Sequence, residues 1–319
     1  MRILVTGAGK NGFLGKHVKT ALSKIKDNYE YIDFIGREYD LTSSTEVVEM
    51  LSDYKPNIIV HLAAICGGIL ANKNSPADFL QKNTQMNINL YSMVHELRKT
   101  GSSHLNKIGE YIYTLGSVCA YPKHCPVPFK EDDLWNGYPE ETNAPYGIAK
   151  RHLYMMGKTY REQYGIKGAH LIPVNMFGEK DHFDLTNSHV IPALINKFVN
   201  AVEKGHKSVK VWGTGEATRE FLYAGDCAEA IVKAVVMKLD TDLPINIGTG
   251  KDISIRDLAF KLADMIGFSG EVEFTGDVSD GQPKRRLSVQ RAKDLLGFEA
   301  KTSLDDGLKK TIQWYKEIK

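Results

Sequence analysis

Along the first half of the chain, short apolar runs rich in β-branched residues alternate with stretches whose apolar positions recur at helical spacing. Ile3–Thr6, Tyr31–Ile35, Ile58–Leu62, Tyr111–Leu115 and Ala169–Val174 read as strands, and Lys16–Ile25, Thr45–Leu51, Asn83–Leu97 and Pro145–Tyr164 as the helices between them. Such alternation predicts an α/β fold, a doubly wound parallel sheet with helices on both faces. Ligands of such sheets bind beyond the carboxyl ends of the strands, so the residues just after each run are where chemistry is expected. Past Asn175 the pattern loosens into helices near Ile191–Val202 and Ile255–Ile266 and short strands near Val209–Trp212 and Val272–Phe274. This part reads as a smaller α/β domain over the sheet's edge. Glu220–Val236 again reads as strand then helix and is expected to rejoin the main sheet. The expected domains are therefore 1–175 plus about 220–240, and 176–219 plus about 241–319. There is no internal repeat, low-complexity tract or Pro/Ser-rich linker.

Composition narrows the class. With 319 residues, 42% hydrophobic and 25% charged, the chain can bury a proper core, which excludes disordered and collagen-like classes. A formal net charge of +2 is far from the basic excess of a dedicated nucleic-acid binder, so any anionic ligand must be met by local charges. Cys66, Cys119, Cys125 and Cys227 are irregularly spaced, without a CxxC pair, and read as free thiols in a reducing compartment with no metal site. The chain enters its first strand at once, and its most apolar stretch, Ile58–Ala71, falls short of the roughly 18 residues of a membrane span. A cytoplasmic protein with no membrane or nucleic-acid partner is expected.

Directly after the first strand stand Gly7, Ala8, Gly9, Lys10, Asn11, Gly12, Phe13, Leu14 and Gly15, followed by a helical run. Glycines there let the backbone turn tightly, approach a pyrophosphate and aim helix N-terminal amides at it, the start of a Rossmann-type dinucleotide site. Leu62, Ala63 and Ala64, after the third strand, are expected to line the same site. The second strand ends in Gly36, Arg37 and Glu38. An acid near this point suits the ribose of NAD, whereas an arginine accommodates the 2′-phosphate of NADP. Arg37, helped by Lys10, favours NADP(H) over NAD(H); Arg37 as a solvated surface charge is the alternative.

Tyr146 and Lys150 lie four residues apart, hence on one helix face, where the ammonium is expected to lower the tyrosine's pKa and ready it for proton exchange. Ser117, just past the fourth strand, could reach the same substrate oxygen.

These three residues and the glycine loop resemble the extended short-chain dehydrogenases/reductases, and within them the GDP-L-fucose synthase family of GDP-4-keto-6-deoxymannose epimerase/reductases. The resemblance runs through Gly67–Phe79, Leu115–Lys123, Thr142–Lys150, Ser188–Leu194, Trp212–Tyr223, Ile245–Gly250 and Asp280–Arg285, in that order. It implies that Ser117 and Tyr146 hold the C4 oxygen of a keto sugar and that Lys150 also holds the nicotinamide ribose. It also implies that Cys119 is the base and His189 the acid of epimerisation at C3 and C5, which the C4 ketone acidifies. Asn175, Trp212, Arg219, Lys197, Lys284 and Arg285 would serve the nucleotide sugar, the cations meeting its diphosphate. Departures from the family are extra residues around Lys10 and Asn11, Val118 in place of a second serine, Lys197 in place of an arginine, and the order Lys284–Arg285. The resemblance further implies a homodimer formed through two helices per subunit, near Asn83–Leu97 and Pro145–Tyr164.

The expected activity is conversion of GDP-4-keto-6-deoxy-D-mannose to GDP-L-fucose with NADPH. A 4-keto reductase of another GDP-linked deoxy sugar, dideoxy sugar or deoxyheptose, with or without epimerisation, is the alternative. A non-catalytic NADP-binding sensor is a distant third, because a sensor has no need of a proton donor beside the nicotinamide.

Overall fold

Strands that are apolar on both faces must be covered on both faces, and a computed structural model of the protein, describing residues 1–10, 12–102, 105–184, 188–276 and 282–319, shows them so. Its strands are β1 (Arg2–Thr6), β2 (Tyr31–Phe34), β3 (Ile58–His61), β4 (Tyr111–Leu115), β5 (Lys167–Pro173), β6 (Asn175–Phe177), β7 (Ser208–Val211), β8 (Thr218–Tyr223), β9 (Ile245–Ile247), β10 (Asp252–Ser254), β11 (Glu271–Phe274) and β12 (Lys284–Arg285). Its helices are α1 (Phe13–Ser23), α2 (Ser44–Tyr54), α3 (Ile69–Asn74), α4 (Pro76–Lys99), α5 (Ala144–Tyr164), α6 (Val190–Lys204), α7 (Ala224–Val236), α8 (Ile255–Ile266), α9 (Gln290–Leu296) and α10 (Leu304–Ile318).

The main sheet is parallel, in the order β2-β1-β3-β4-β5-β9. Successive residues of β1 point to opposite faces. Ile3 and Val5 join a core with Val18 and Leu22 of α1 and Ile231 and Val235 of α7, while Leu4 joins another with Leu51 of α2, Leu90 and Val94 of α4 and Leu153 of α5. A further core gathers Leu194 and Phe198 of α6, Leu258 and Leu262 of α8, Leu308 of α10 and Val211 of β7. From β1 the chain goes to β2 on one side and later to β3 on the other. This topological switch opens a crevice at the carboxyl ends of β1 and β3, where the glycine loop begins.

The strand expected to rejoin the main sheet at Glu220 does not do so. It is part of β8, which pairs with β6, β10 and β12 in a separate sheet. Its side chains alternate between two cores, Phe221 to the one built on α6 and α8, Leu222 to the one beneath the main sheet. Only the following helix, α7, packs back on the main sheet. The sixth position there belongs to β9, whose Ile245 and Ile247 are fully buried against β5. Leu296 and Phe298, in and just after α9, join the same core. Among the described residues, no helix is long and apolar enough to cross a membrane.

Two buried histidines lie under the carboxyl ends of the strands. The Thr6 hydroxyl is 2.9 Å from His61 Nδ1, and that of Thr114 is 2.8 Å from His170 Nδ1. Burial, with a smaller contribution from the Lys150 charge, pushes each imidazole down to about 3. The unfolded chain therefore binds protons that the folded one refuses, so this stability is full above the ordinary histidine range and is lost as pH falls toward 3. Each histidine should remove about 2 kcal/mol between about pH 7 and pH 5. Urea unfolding at the two pH values checks this, and His61→Asn should lessen the difference by about one histidine's share.

Candidate active site

At the switch point the glycine loop folds tightly on itself. Gly12 N donates to Gly9 O at 2.9 Å, and Ala8 N donates to Ile35 O at 2.8 Å, tying the loop to the end of β2. Gly7 has φ +72°, and a Cβ there would stand 2.6 Å from Ala63 N. The loop thus lies directly on Leu62–Ala63, while Leu62 N and Ala63 N donate to the Thr6 carbonyl and hydroxyl at 3.2 and 3.4 Å. Helix α1 starts at Phe13 with Gly12 as N-cap, no capping side chain and no acid in its first turn. Its terminal amides and dipole are suited to an anion. Leu14 and Gly15 are buried behind the loop; Lys10 is exposed at its tip. Lys10 and Lys180 both act on Lys16, whose ammonium is pushed down mainly by desolvation, so three cations gather at the loop's mouth. Arg37 is exposed beyond β2, where the Glu38 carboxylate accepts from Gly36 N. Ala64 is half-buried beside Ala63; Asn11 lies outside the described residues, as do the first two residues of the Asp280–Arg285 segment. The donor set and positive surroundings fit a phosphate-bearing dinucleotide.

The second half of the site is the turn that follows β4. Ser117 caps a 3-10 turn over Val118–Ala120, its Oγ accepting from Cys119 N at 3.2 Å, which leaves the hydroxyl proton free to be donated outward. Helix α5 rests on this turn at Gly147, where a Cβ would meet Cys119 O at 2.4 Å. Only glycine allows that approach, and it sets Tyr146 beside the turn. The Phe79 ring meets Tyr146 edge-to-face at 6.2 Å. One turn along α5, Lys150 is buried, donates to Leu115 O at 2.9 Å and lies 5.6 Å from the Tyr146 ring centre.

Lys150 was expected to lower the Tyr146 pKa; the structure reverses that. Burial, reinforced by Cys66 and Cys119, raises the phenol well above its ordinary range, and burial pushes Lys150 down to about 8. With its ammonium directed at a backbone carbonyl, Lys150 does not offset the desolvation of the phenolate. Tyr146 is therefore a neutral phenol, the form that donates a proton.

The remaining candidates come from later in the chain. His189 is the N-cap of α6; its ring is accessible yet crowded by protein, and the desolvation lowers its pKa. Among the described residues no hydrogen bond links it to Cys119. Lys197 donates to Lys210 O at 2.8 Å, and its ammonium lies 4.7 Å above the half-exposed Trp212 ring, so those two form one unit. Asn175 Nδ2 donates to Glu220 O at 2.9 Å. Arg219, half-buried on β8, donates to Thr218 O at 2.8 Å and stands in register with Arg285 of β12. Lys284 is exposed. Arg285 reaches instead to Cys119, with 3.6 Å between its Nη1 and Sγ.

Sequence reasoning missed several residues. Gln282 is buried and donates to Pro122 O and Lys123 O at 3.0 and 2.7 Å; its place beside Lys284 and Arg285 was the available signal. Asp181 is buried and pushed up to about 7 by that burial, and among the described residues His182 N alone donates to it, at Oδ1. It acts electrostatically on Cys66, a solvent-accessible thiol crowded by protein and raised by desolvation. Cys66 was read only as a free thiol, and Asp181 did not show in the pattern of the chain.

A glycine-lined crevice at the switch point of a parallel sheet, with serine, tyrosine and lysine beside it, defines a Rossmann-type enzyme built around a nicotinamide dinucleotide. Residues 3–248 match the NAD-dependent epimerase/dehydratase family, and the chain belongs to it. It is 37% identical over 316 residues to the GDP-L-colitose synthase of Yersinia pseudotuberculosis, covering 99% of this chain and 98% of the relative. It is 37% identical over 306 residues to the GDP-L-fucose synthase of Sinorhizobium fredii, covering 96% and 93%. The solved GDP-L-fucose synthetase of Naegleria fowleri bound to NADP superposes with a TM-score of 0.83 at 26% identity, covering 99% and 94%.

Gly147→Ala should push α5 off the Cys119 turn. A misplacement of about 1 Å should lower kcat by about a hundredfold. Steady-state NADPH oxidation measures the loss, and quenching of NADPH fluorescence should show cofactor binding retained.

Proposed function

We propose that the protein is a bifunctional 3,5-epimerase/4-reductase that converts GDP-4-keto-6-deoxy-D-mannose to GDP-L-fucose with NADPH. The observation that carries this reading is the seat of Cys119. It lies in the turn between Ser117 and the Tyr146 helix, within electrostatic reach of the phenol. A reductase needs only the hydroxyl, the phenol and the lysine; a thiol among them adds a base. The similarity to GDP-L-fucose synthases over nearly the full chain supports the same assignment.

In the mechanism, Sγ of Cys119 takes a proton from the carbon next to the ketone and the electron pair moves to the C4 oxygen. Ser117 and Tyr146 donate hydrogen bonds to that oxygen and stabilise the enolate. His189 returns a proton to the opposite face of the carbon, and repetition at the second neighbour inverts both centres. NADPH, when bound, supplies the hydride to C4. Tyr146, kept neutral by burial, gives its proton to the C4 oxygen, and Lys150 holds the nicotinamide ribose. Arg37 and Lys10 support NADP over NAD, as the NADP-bound Naegleria fowleri structure does. Arg219 meets the diphosphate from β8, with Asn175, Lys284 and the Lys197–Trp212 unit completing the nucleotide-sugar site.

A second reading is supported by the equal similarity to a GDP-L-colitose synthase: the same residues would act on a GDP-linked 4-keto dideoxy sugar. Product analysis by NMR with each keto sugar and NADPH decides between them.

Under either reading Tyr146→Phe should lower NADPH oxidation by about a hundredfold or more while cofactor binding survives; unchanged turnover would sink the reductase assignment. Cys119→Ser should suppress deuterium uptake from solvent beside the ketone, and undiminished uptake would remove Cys119 as the base.

A homodimer through α4 and α5 is part of the proposal. Leu80 and Ile88 of α4 and Met155 of α5 are exposed apolar residues that such a bundle would cover. Light scattering should give a dimer mass, with Met155→Asp shifted toward monomer.

A further inference from the structure

Arg285 stands out because of what its side chain reaches. It is 7% exposed, and its guanidinium is held between two partners. Nε donates to Gln282 Oε1 at 2.9 Å, and Nη1 stands 3.6 Å from Cys119 Sγ. Gln282 is 3% exposed and donates its amide to the carbonyls of Pro122 and Lys123, immediately beyond the Cys119 turn. The side chain is thus aimed from β12 at one sulfur and fixed there by a glutamine that also grips the segment carrying that sulfur. On the neighbouring strand, register places Arg219 beside it.

We propose that Arg285 is a positioning residue for epimerisation: it holds the Cys119 sulfur in place by a charge-assisted hydrogen bond, aimed at the carbon whose proton it takes. This rests on the reading of the protein as a 4-keto sugar epimerase/reductase. Chemically, the sulfur lone pair takes the proton, the C–H pair becomes the enolate π bond, and charge passes from sulfur to the C4 oxygen held by Ser117 and Tyr146. A planar guanidinium, always protonated and locked by Gln282, keeps its donor on the sulfur throughout this cycle. A lysine ammonium is a point charge on a flexible stem and would hold the sulfur less firmly. Arg219 remains the diphosphate cation. Two arginines in register on adjacent strands thereby divide the work, one toward the phosphates and one toward the reacting carbon.

The test compares wild type, Arg285→Lys, Arg285→Met and Gln282→Met, with NADPH fluorescence quenching as the check that each variant is folded. Deuterium uptake from solvent into GDP-4-keto-6-deoxy-D-mannose, without NADPH, should lose about tenfold or more in kcat for Arg285→Met, with KM and the Kd of GDP within about threefold. Arg285→Lys should recover part of the loss, and Gln282→Met should fall between. A raised KM and GDP Kd with kcat intact would overturn the proposal and return Arg285 to the diphosphate. The second measurement needs no substrate: alkylation of Cys119 by iodoacetamide at fixed pH, followed by peptide mass spectrometry to separate it from Cys66 and Cys125. Arg285→Met should slow it about tenfold, and an unchanged rate in a folded variant would overturn the proposal. If wild type showed no deuterium uptake, the epimerase reading would fail, and with it the role in epimerisation. The alkylation rate would still report whether Arg285 governs the thiol.

Discussion

The turn from Ser117 to Lys123 carries Ser117 and Cys119 on a backbone largely hidden from water, and the surrounding structure is arranged to satisfy its polar groups. Arg151 Nε donates to Ala120 O at 2.7 Å, Gln282 takes the Pro122 and Lys123 carbonyls, and Tyr121 OH donates to Asn246 Oδ1 at 2.7 Å. Asn246 in turn donates to Phe129 O and Ser288 O, while its backbone amide donates to Glu131. A buried carbonyl left without a donor costs about 1–3 kcal/mol, so these partners constrain the turn as firmly as an apolar core would. They come from α5, β9 and the β12 region. The turn is therefore fixed only when these three parts of the chain are in place.

Glu220 extends this logic between the two cores. It is fully buried on β8 and accepts from Thr249 N, Gly250 N and Leu287 N, joining the loop after β9 to the chain after β12. Burial raises its pKa, and the three amides oppose the rise. Its neighbour Arg219 inherits a fixed position. The cation proposed to meet the diphosphate thus projects from a strand whose next residue is anchored in the interior.

Much of the α/β architecture was legible, because apolar runs at strand length and apolar recurrence at helix length survive in most elements of the first half. Boundaries slipped where composition hid them: α1 begins at Phe13, inside the glycine-rich stretch, and α4 at Pro76, in polar turns ahead of its apolar face. The fate of β8 and β9 was not legible. Three residues of Ile-Asn-Ile give no periodicity, and an edge position in a sheet is decided by tertiary pairing. In the site, the glycine loop and the Ser117, Tyr146 and Lys150 set were visible as spacing, and the motifs of the resemblance pointed to Cys119 and His189. The state of Tyr146 was not, since it depends on desolvation and on where the Lys150 ammonium points. The contact of Arg285 with Cys119 was not legible either, because a sequence shows charge without direction. Its sulfur partner lies 166 residues away.

Strand β8 has a mechanical consequence. It gives Phe221 to one core and Leu222 to the other, and the Glu220 carboxylate accepts from Leu287 N of the second. The two bodies thus share a strand where a flexible linker would otherwise run. A hinge at β8 would have to unpair the strand or strip Glu220 of its donors, which favours small sliding of packed elements there. The enzyme resembles a vice with a solid frame more than a pair of jaws.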